Sequence, residues 1–357
     1  MIEEKNDLWH YLSQSDKPIT VYGMGDGADK LISALERIGR HADDFFASDG
    51  FVRGQSFHGK TVLSFNDVRK KYKDGFIVLV SFGTQLPDVI QNIRNIDREY
   101  ELYAPDLPVC PDELFTYGYY AEHKDEFDYA RSLLCDEESK NVFDEVLNFK
   151  LSGKLKYIDF SQNSQFDVAK QELKCYNYIS YVDGGAYNGD SVRFMAGVCP
   201  NLRKVYAFEP DSRSFRKLTL SDLTPNVELI AVNAALGSFD GVADVFEKGN
   251  RNTSLFAEDA TGAKTKQVRV ATVDKILNGE KTDLIKLDVE GSELSALDGA
   301  EKTISRYAPD LAVSLYHRPS DMFTLIPKAH SMYDRPRIRV RRPLYIPAWD
   351  VSMYLTK

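Results

Sequence analysis

At 357 residues, 43% of them hydrophobic and with 20 each of Tyr and Phe, the chain has material for two domains with cores of their own, and its composition excludes an unfolded polypeptide. A net charge of -9 argues against a protein that works along a phosphate backbone, so no nucleic-acid partner is expected.

The first residues, MIEEKNDLWHYLSQ, are acidic and amphipathic and lack the basic-then-apolar pattern of a secretory signal. No stretch reaches the ~18 apolar residues of a membrane span, so a cytoplasmic location is expected. Strand and helix signals then alternate to residue 108. Ile19-Thr-Val-Tyr22 reads as a strand, Gly23-Met-Gly-Asp-Gly27 as a turn, and residues 28–38 as a helix with Leu31, Leu35 and Ile38 on one face. Residues 41–48 and 76–81 read as further strands, and repeated βα units imply a parallel sheet. Gly23-x-Gly25-x-x-Ala28 with Asp49 beyond the second strand fits a dinucleotide fingerprint, which makes Gly23, Gly25 and Asp49 candidate nucleotide ligands. The other reading of residues 1–108 is a scaffold or a module for homo-oligomer formation.

Residues 109–175 carry helical stripes such as Phe127, Ala130, Leu133 and Val142, Val146, Leu147, and predict a helical connector. Such a connector can form a wall of a substrate cleft, because ligand sites favour domain junctions. Cys110, Cys135, Cys175 and Cys199 have no CxxC spacing and read as reduced thiols, not as zinc ligands or a disulfide framework.

Residues 176–357 are the most regular. Strands at 179–183, 204–209, 227–232, 284–288 and 310–315 alternate with helices at 191–197, 213–220 and 293–304, with a hairpin-like stretch across 242–273. This order predicts a doubly wound sheet with an antiparallel addition toward its end. In such a sheet ligands bind beyond the carboxyl ends of the strands, and here those ends carry Asp183, Glu209 and Asp288. The carboxylate of Glu209 can accept both hydroxyls of a ribose, a chemistry shared by NAD and S-adenosylmethionine. Near the terminus, Arg335, Arg337, Arg339, Arg341 and Arg342 read first as a solvated strand face and second as a site for an anionic group.

Val182-Asp-Gly-Gly-Ala-Tyr-Asn-Gly-Asp-Ser191, Tyr206-Ala-Phe-Glu-Pro210, Leu284-Ile-Lys-Leu-Asp-Val-Glu-Gly-Ser-Glu293 and Ser314-Leu-Tyr-His317, with Asp321 and Ile326-Pro327, resemble in order the motifs of FkbM-type methyltransferases. The resemblance implies a class I methyltransferase fold in the C-terminal part, preceded by a smaller Rossmann-like domain, with S-adenosyl-L-methionine as cofactor. It places Asp183, Gly184, Gly185, Ala186, Asn188 and Gly189 around the methionine end, Glu209 and Pro210 at the ribose, and Ala234, Ala235 and Leu236 beside adenine. After Pro327 the Arg- and Pro-rich segments match the family's usual ending poorly.

A hydroxyl acceptor needs a base, and His317, Asp288 and Glu290 are the candidates; the near-neutral pKa of histidine suits the task. A divalent ion among these groups is left open by the spacing, which does not require one. Arg251, Asn252, Thr253 and Ser254 form a polar loop that could grip substrate hydroxyls, and Tyr316 and Asp321 are further candidates for that side. The reading is O-methylation of a carbohydrate or nucleotide-linked sugar, a small-molecule or glycan acceptor. Its rivals are an NAD-dependent sugar-modifying oxidoreductase built on the first domain and a non-catalytic S-adenosylmethionine-binding module.

Overall fold

A computed structural model describes residues 2–110, 112–220, 226–247, 253–254 and 264–356. The N-terminal sheet is parallel throughout, in the order Leu63–Ser64, Asp44–Ala47, Ile19–Tyr22, Ile77–Val80, Glu101–Tyr103. Ile19–Tyr22 and Ile77–Val80 are buried along their whole length, as a parallel sheet covered on both faces requires. Helix Asp26–Arg37 covers one face with Ala28, Leu31, Ala34 and Leu35. A Cβ on Gly27 would sit 1.9 Å from the Ser81 carbonyl oxygen, so that glycine sets how closely the helix approaches the neighbouring strand end. Pro87, at the start of helix Pro87–Glu99, begins a second covering helix that buries Ile90, Ile93 and Ile96.

The larger sheet runs Glu228–Val232, Lys204–Phe208, Ser180–Gly184, Leu284–Leu287, Asp310–Ser314, Ser352–Thr356, Arg337–Arg341. The first five strands are parallel; Ser352–Thr356 adds antiparallel to them, and Arg337–Arg341 pairs antiparallel with Ser352–Thr356 and so runs in the direction of the first five. Thus Ser352–Thr356, the last strand among the described residues, lies inside the sheet, with all five residues buried. The expected single helix over 293–304 is two, Glu293–Asp298 and Glu301–Tyr307. The break falls at Gly299, where only a glycine fits: a Cβ there would fall 2.0 Å from the Gly237 carbonyl oxygen. The stretch after the third parallel strand forms its own small sheet, in which Gly241–Glu247 pairs antiparallel with Lys264–Ala271.

The connector helices are part of both cores. Helix Glu137–Ser152 starts on Asp136, whose side chain accepts from the Ser139 amide, and ends on Gly153 in the left-handed region at φ 64°. It is buried on nearly all sides over its last turns. Val142, Phe143, Val146, Leu147 and Leu151 join Val182, Ile285 and Leu311 in the core of the larger sheet, while Phe149 packs with Val78, Ile93 and Leu102 of the smaller one. On the same helix, Lys150 Nζ meets Asp106 Oδ2 at 2.9 Å with both side chains almost fully buried. Removing one partner leaves the other charge buried and unpaired, so Lys150→Ala is expected to destabilise the protein by about 3–5 kcal/mol. Urea unfolding of the variant checks this; a loss under 1 kcal/mol would mean that water reaches Asp106.

The arginine run is neither a solvated face nor an open anion site. Arg339 and Arg341 both pair with Glu172 (2.9 and 2.8 Å), Arg341 also reaches Asp136 at 3.2 Å, and Arg342 is buried and donates to the Tyr157 carbonyl. Only Arg335 and Arg337 face solvent. The paired arginines hold the connector against the strand Arg337–Arg341.

Candidate active site

The carboxyl ends of four adjacent parallel strands open on one cavity of about 940 Å³, whose walls include Gly185, Tyr187, Glu209, Ala235, Asp288 and Glu290. The loop after Ser180–Gly184 shapes its floor. Gly185 stands at φ +79°, and a Cβ there would lie 1.9 Å from the Asp288 carbonyl oxygen, so the loop and the end of strand Leu284–Leu287 are in backbone contact. Gly189, at φ 85°, is the N-cap of helix Asp190–Val198. The Gly185 and Ala186 amides both donate to the Phe208 carbonyl, which draws the loop toward the second strand.

Asp183 sits beneath this loop. It is fully buried; Oδ2 accepts from Ser191 Oγ at 2.5 Å, and Oδ1 accepts from Lys286 Nζ at 3.1 Å. Burial opposes the Lys286 charge, yet Asp183 and Asp288 together hold the ammonium up to about 12. Asp183, Gly184, Ala186, Asn188 and Gly189 therefore build and support the loop, while Gly185, Tyr187, Glu209, Pro210, Ala234, Ala235 and Leu236 reach the cavity wall.

Glu209 follows the second strand and is nearly buried. One carboxylate oxygen accepts from the Tyr187 amide (2.9 Å) and the other from the Asp211 amide (2.7 Å). Burial pushes this carboxyl up to about 7 despite both hydrogen bonds. Asp211 in turn caps helix Ser212–Thr219 by accepting from the Arg213 and Ser214 amides.

On the other side, Asp288 Oδ1 accepts from Ser314 Oγ (2.9 Å) and Tyr316 OH (3.2 Å) and lies 3.5 Å from His317 Nε2. Burial raises its pKa, but Lys286 and His317 outweigh that, leaving it lowered. His317 is buried; its Nδ1 lies 3.0 Å from Glu293 Oε1 and its Nε2 lies 3.9 Å from Glu290 Oε2. Burial alone would pull the imidazole down; Glu293, Asp288 and Glu290 instead hold it up to about 10. Glu290 is in the left-handed region at φ 52°, with Oε2 buried and lacking a hydrogen-bond partner. Asp321 is buried, caps the Arg318 amide at 2.8 Å, and is pushed up to about 7 by burial and the Glu293 charge. Tyr316 and Asp321 thus adjoin the acidic cluster without lining the cavity.

Of the other expected site residues, Arg251 and Asn252 lie outside the described residues, and Ser254 belongs to a two-residue strand paired with Gly241–Glu247. In the first domain, Gly23 adopts φ 120° and packs where a Cβ would meet Phe82 and Ser81 at 2.6 Å, and Asp49 is exposed at the start of the 3-10 turn Asp49–Phe51. Sequence reasoning missed Lys286, Glu293 and Ser314. Lys286 gave a signal, being a charge in an otherwise apolar buried strand; Glu293 gave none, since a glutamate opening a helix is ordinary there. The connector, expected as a wall of the cleft, supplies Gln165, Phe166, Ala169 and Leu173 to the cavity lining, and Cys110 donates to the Glu290 carbonyl through Sγ (3.0 Å) and to the His317 carbonyl through its amide (3.4 Å).

Among the described residues no helix is long and apolar enough to cross a membrane. None of the curated proteins compared matches the sequence. A methyltransferase FkbM of Methylobacillus flagellatus KT is similar in structure at a TM-score of 0.70, with 19% identity, over 95% of this chain and 90% of that one. Fibrillarin of Aeropyrum pernix, solved with natively bound S-adenosyl-L-methionine, aligns over 54% of this chain and 74% of its own at 13% identity and a TM-score of 0.35. Precorrin-6y C5,15-methyltransferase of Geobacter metallireducens aligns over 53% and 85% at 11% identity and a TM-score of 0.32. Residues 183–335, which hold both sides of the cavity, match the methyltransferase FkbM domain, and it is that part of the chain that carries the family's signature.

Proposed function

We propose that the protein is an S-adenosylmethionine-dependent O-methyltransferase whose acceptor is a hydroxyl of a carbohydrate or nucleotide-linked sugar. The observation that carries this reading is the shared cavity: Glu209 at one wall, and Asp288 with Glu290 at the other. The donor set fits the cofactor. A carboxylate suits a ribose diol, the small apolar residues Ala234, Ala235 and Leu236 suit the face of adenine, and an acidic wall suits a sulfonium with its ammonium group. When bound, S-adenosylmethionine supplies an electrophilic methyl group.

The chain's own part is to hold an acceptor oxygen in line and to take its proton. Asp288, fixed by Ser314 and Tyr316, orients the hydroxyl, and Glu290, with an unpartnered oxygen beside the cavity, accepts the proton. His317 is surrounded by carboxylates and acts as their positive counterpart. The polar side chains of the cavity wall, among them Asp211, Ser212, Arg213 and Ser292, support a sugar acceptor.

Calorimetry with S-adenosylhomocysteine, followed by transfer of labelled methyl to a panel of glycans and nucleotide sugars, tests the reading. Binding, and label that survives mild alkali as an ether does, are expected. Absence of binding would remove the cofactor, and label lost to mild alkali would replace the hydroxyl by a carboxyl acceptor.

A further inference from the structure

The cluster behind the acidic wall of the cavity has the composition of a cation site. Asp288, Glu293 and His317 each offer one donor atom, and these atoms all lie within 4.8 Å of one another. Around an ion with oxygen and nitrogen ligands at ~2.0–2.2 Å, donor atoms stand ~3–4 Å apart, so small side-chain movements close the set. Glu290 Oε2 stands at its edge, 3.9 Å from His317 Nε2, and Asp321 is buried alongside.

A second observation points to a ligand. His317 has a side chain only 1% exposed, yet neither ring nitrogen makes a hydrogen bond. The 3.0 Å approach of Nδ1 to Glu293 is close, but its geometry is not that of an N–H donating to the carboxylate. Glu293 Oε2 and Glu290 Oε2 are also buried without partners. Buried polar atoms are normally satisfied, and this cluster leaves four unsatisfied, on His317, Glu290 and Glu293, so that it calls for a partner the chain does not provide. The nearby lysine does not fill that role: Lys286 Nζ is 3.8 Å from Asp288 and closer, at 3.1 Å, to Asp183.

We propose that Asp288, Glu293 and His317 bind a divalent transition-metal cation beside the acceptor end of the cavity. A mixed carboxylate and imidazole set favours Mn²⁺ or Zn²⁺ over Ca²⁺, which takes oxygen alone. The ion replaces the ring proton as counter-charge to the carboxylates. Asp288 lines the cavity, so an ion on it has an open coordination position toward the acceptor. A hydroxyl bound there loses its proton more readily and is held in place by the metal. This catalytic role rests on the methyl-transfer reading above; the binding of the ion does not.

The test uses Mn²⁺ and the full chain without acceptor. Electron paramagnetic resonance should show one bound Mn²⁺ per chain with spin-echo modulation from an imidazole nitrogen. His317→Gln and Asp288→Asn should each weaken binding by roughly 10²-fold or more, since even outer-shell changes cost 10–100-fold. S-adenosylhomocysteine binding, measured on the same samples, should persist in His317→Gln, whose side chain does not line the cavity. Failure of the wild-type protein to bind Mn²⁺ at millimolar concentration overturns the proposal, as does bound Mn²⁺ without imidazole modulation or with wild-type affinity kept in both variants. The wild-type spectrum decides the matter even if a variant does not fold. Loss of homocysteine-ligand binding in the wild type, with Mn²⁺ still bound, would strike the methyl-transfer reading and leave the metal site standing.

Discussion

Replacing Glu209 by Gln is expected to weaken S-adenosylhomocysteine binding by on the order of 10²-fold. The amide keeps the shape and one acceptor oxygen, but it loses the charge that makes a carboxylate–hydroxyl bond worth about 1.5–3 kcal/mol. Because burial pushes Glu209 up to about 7, part of the free protein carries a protonated carboxyl at neutral pH. Affinity for the ligand should therefore rise as pH increases through about 7, and this rise should be absent in Glu209→Gln. The sign for stability is the reverse. A carboxyl whose folded pKa lies above its unfolded one favours folding at low pH, and that contribution is lost as pH rises through about 7. Calorimetry of both proteins between about pH 6 and 8 checks the pair. Equal affinities, or equal slopes with pH, would remove Glu209 from the ribose.

Gly185→Ala is expected to destabilise the protein by about 3 kcal/mol or more and to abolish ligand binding. Two causes add: the residue sits at φ +79°, and its new methyl would fall 1.9 Å from a backbone oxygen, which cannot swing aside as a side chain can. The loop must lift from Asp288, and the two walls of the cavity separate. Gly197→Ala is the matched control. It lies in helix Asp190–Val198 with open space around the added Cβ, so the same chemical change should stabilise by about 0.5–1 kcal/mol. Thermal unfolding of the two variants compares them directly. A mild effect at Gly185 would show that the loop has room to move.

Much of the larger sheet was legible because its strands are short apolar runs ended by Gly, Glu or Asp, and because parallel strands buried on both faces leave that pattern. The position of Glu209 at a strand end was readable for the same reason. What the pattern could not carry was contact between distant segments. Glu293 and His317 are 24 positions apart and meet only because adjacent parallel strands deliver both segments to one sheet edge. Asp183 shows the converse: its motif was visible, but that its two oxygens are taken by Ser191 and Lys286 depends on a lysine one strand away. The break at Gly299 was hidden too, since a glycine in a helical run signals its cause only when the neighbour it touches is known.

The strand Ser352–Thr356 lies between Asp310–Ser314 and Arg337–Arg341, yet it falls beyond residue 335, where the match to the methyltransferase FkbM domain ends. The portion of the chain that carries the family's signature is thus not a portion that can stand alone. A fragment trimmed to it would lose Ser180, Tyr181 and Val182 of the strand Ser180–Gly184 and would bare the hydrogen-bonding edge of Asp310–Ser314, an apolar template for pairing with other chains. Family signature and structural integrity thus draw different borders on this molecule: a strand outside the matched residues covers the side of the sheet on which Asp288 and His317 are mounted.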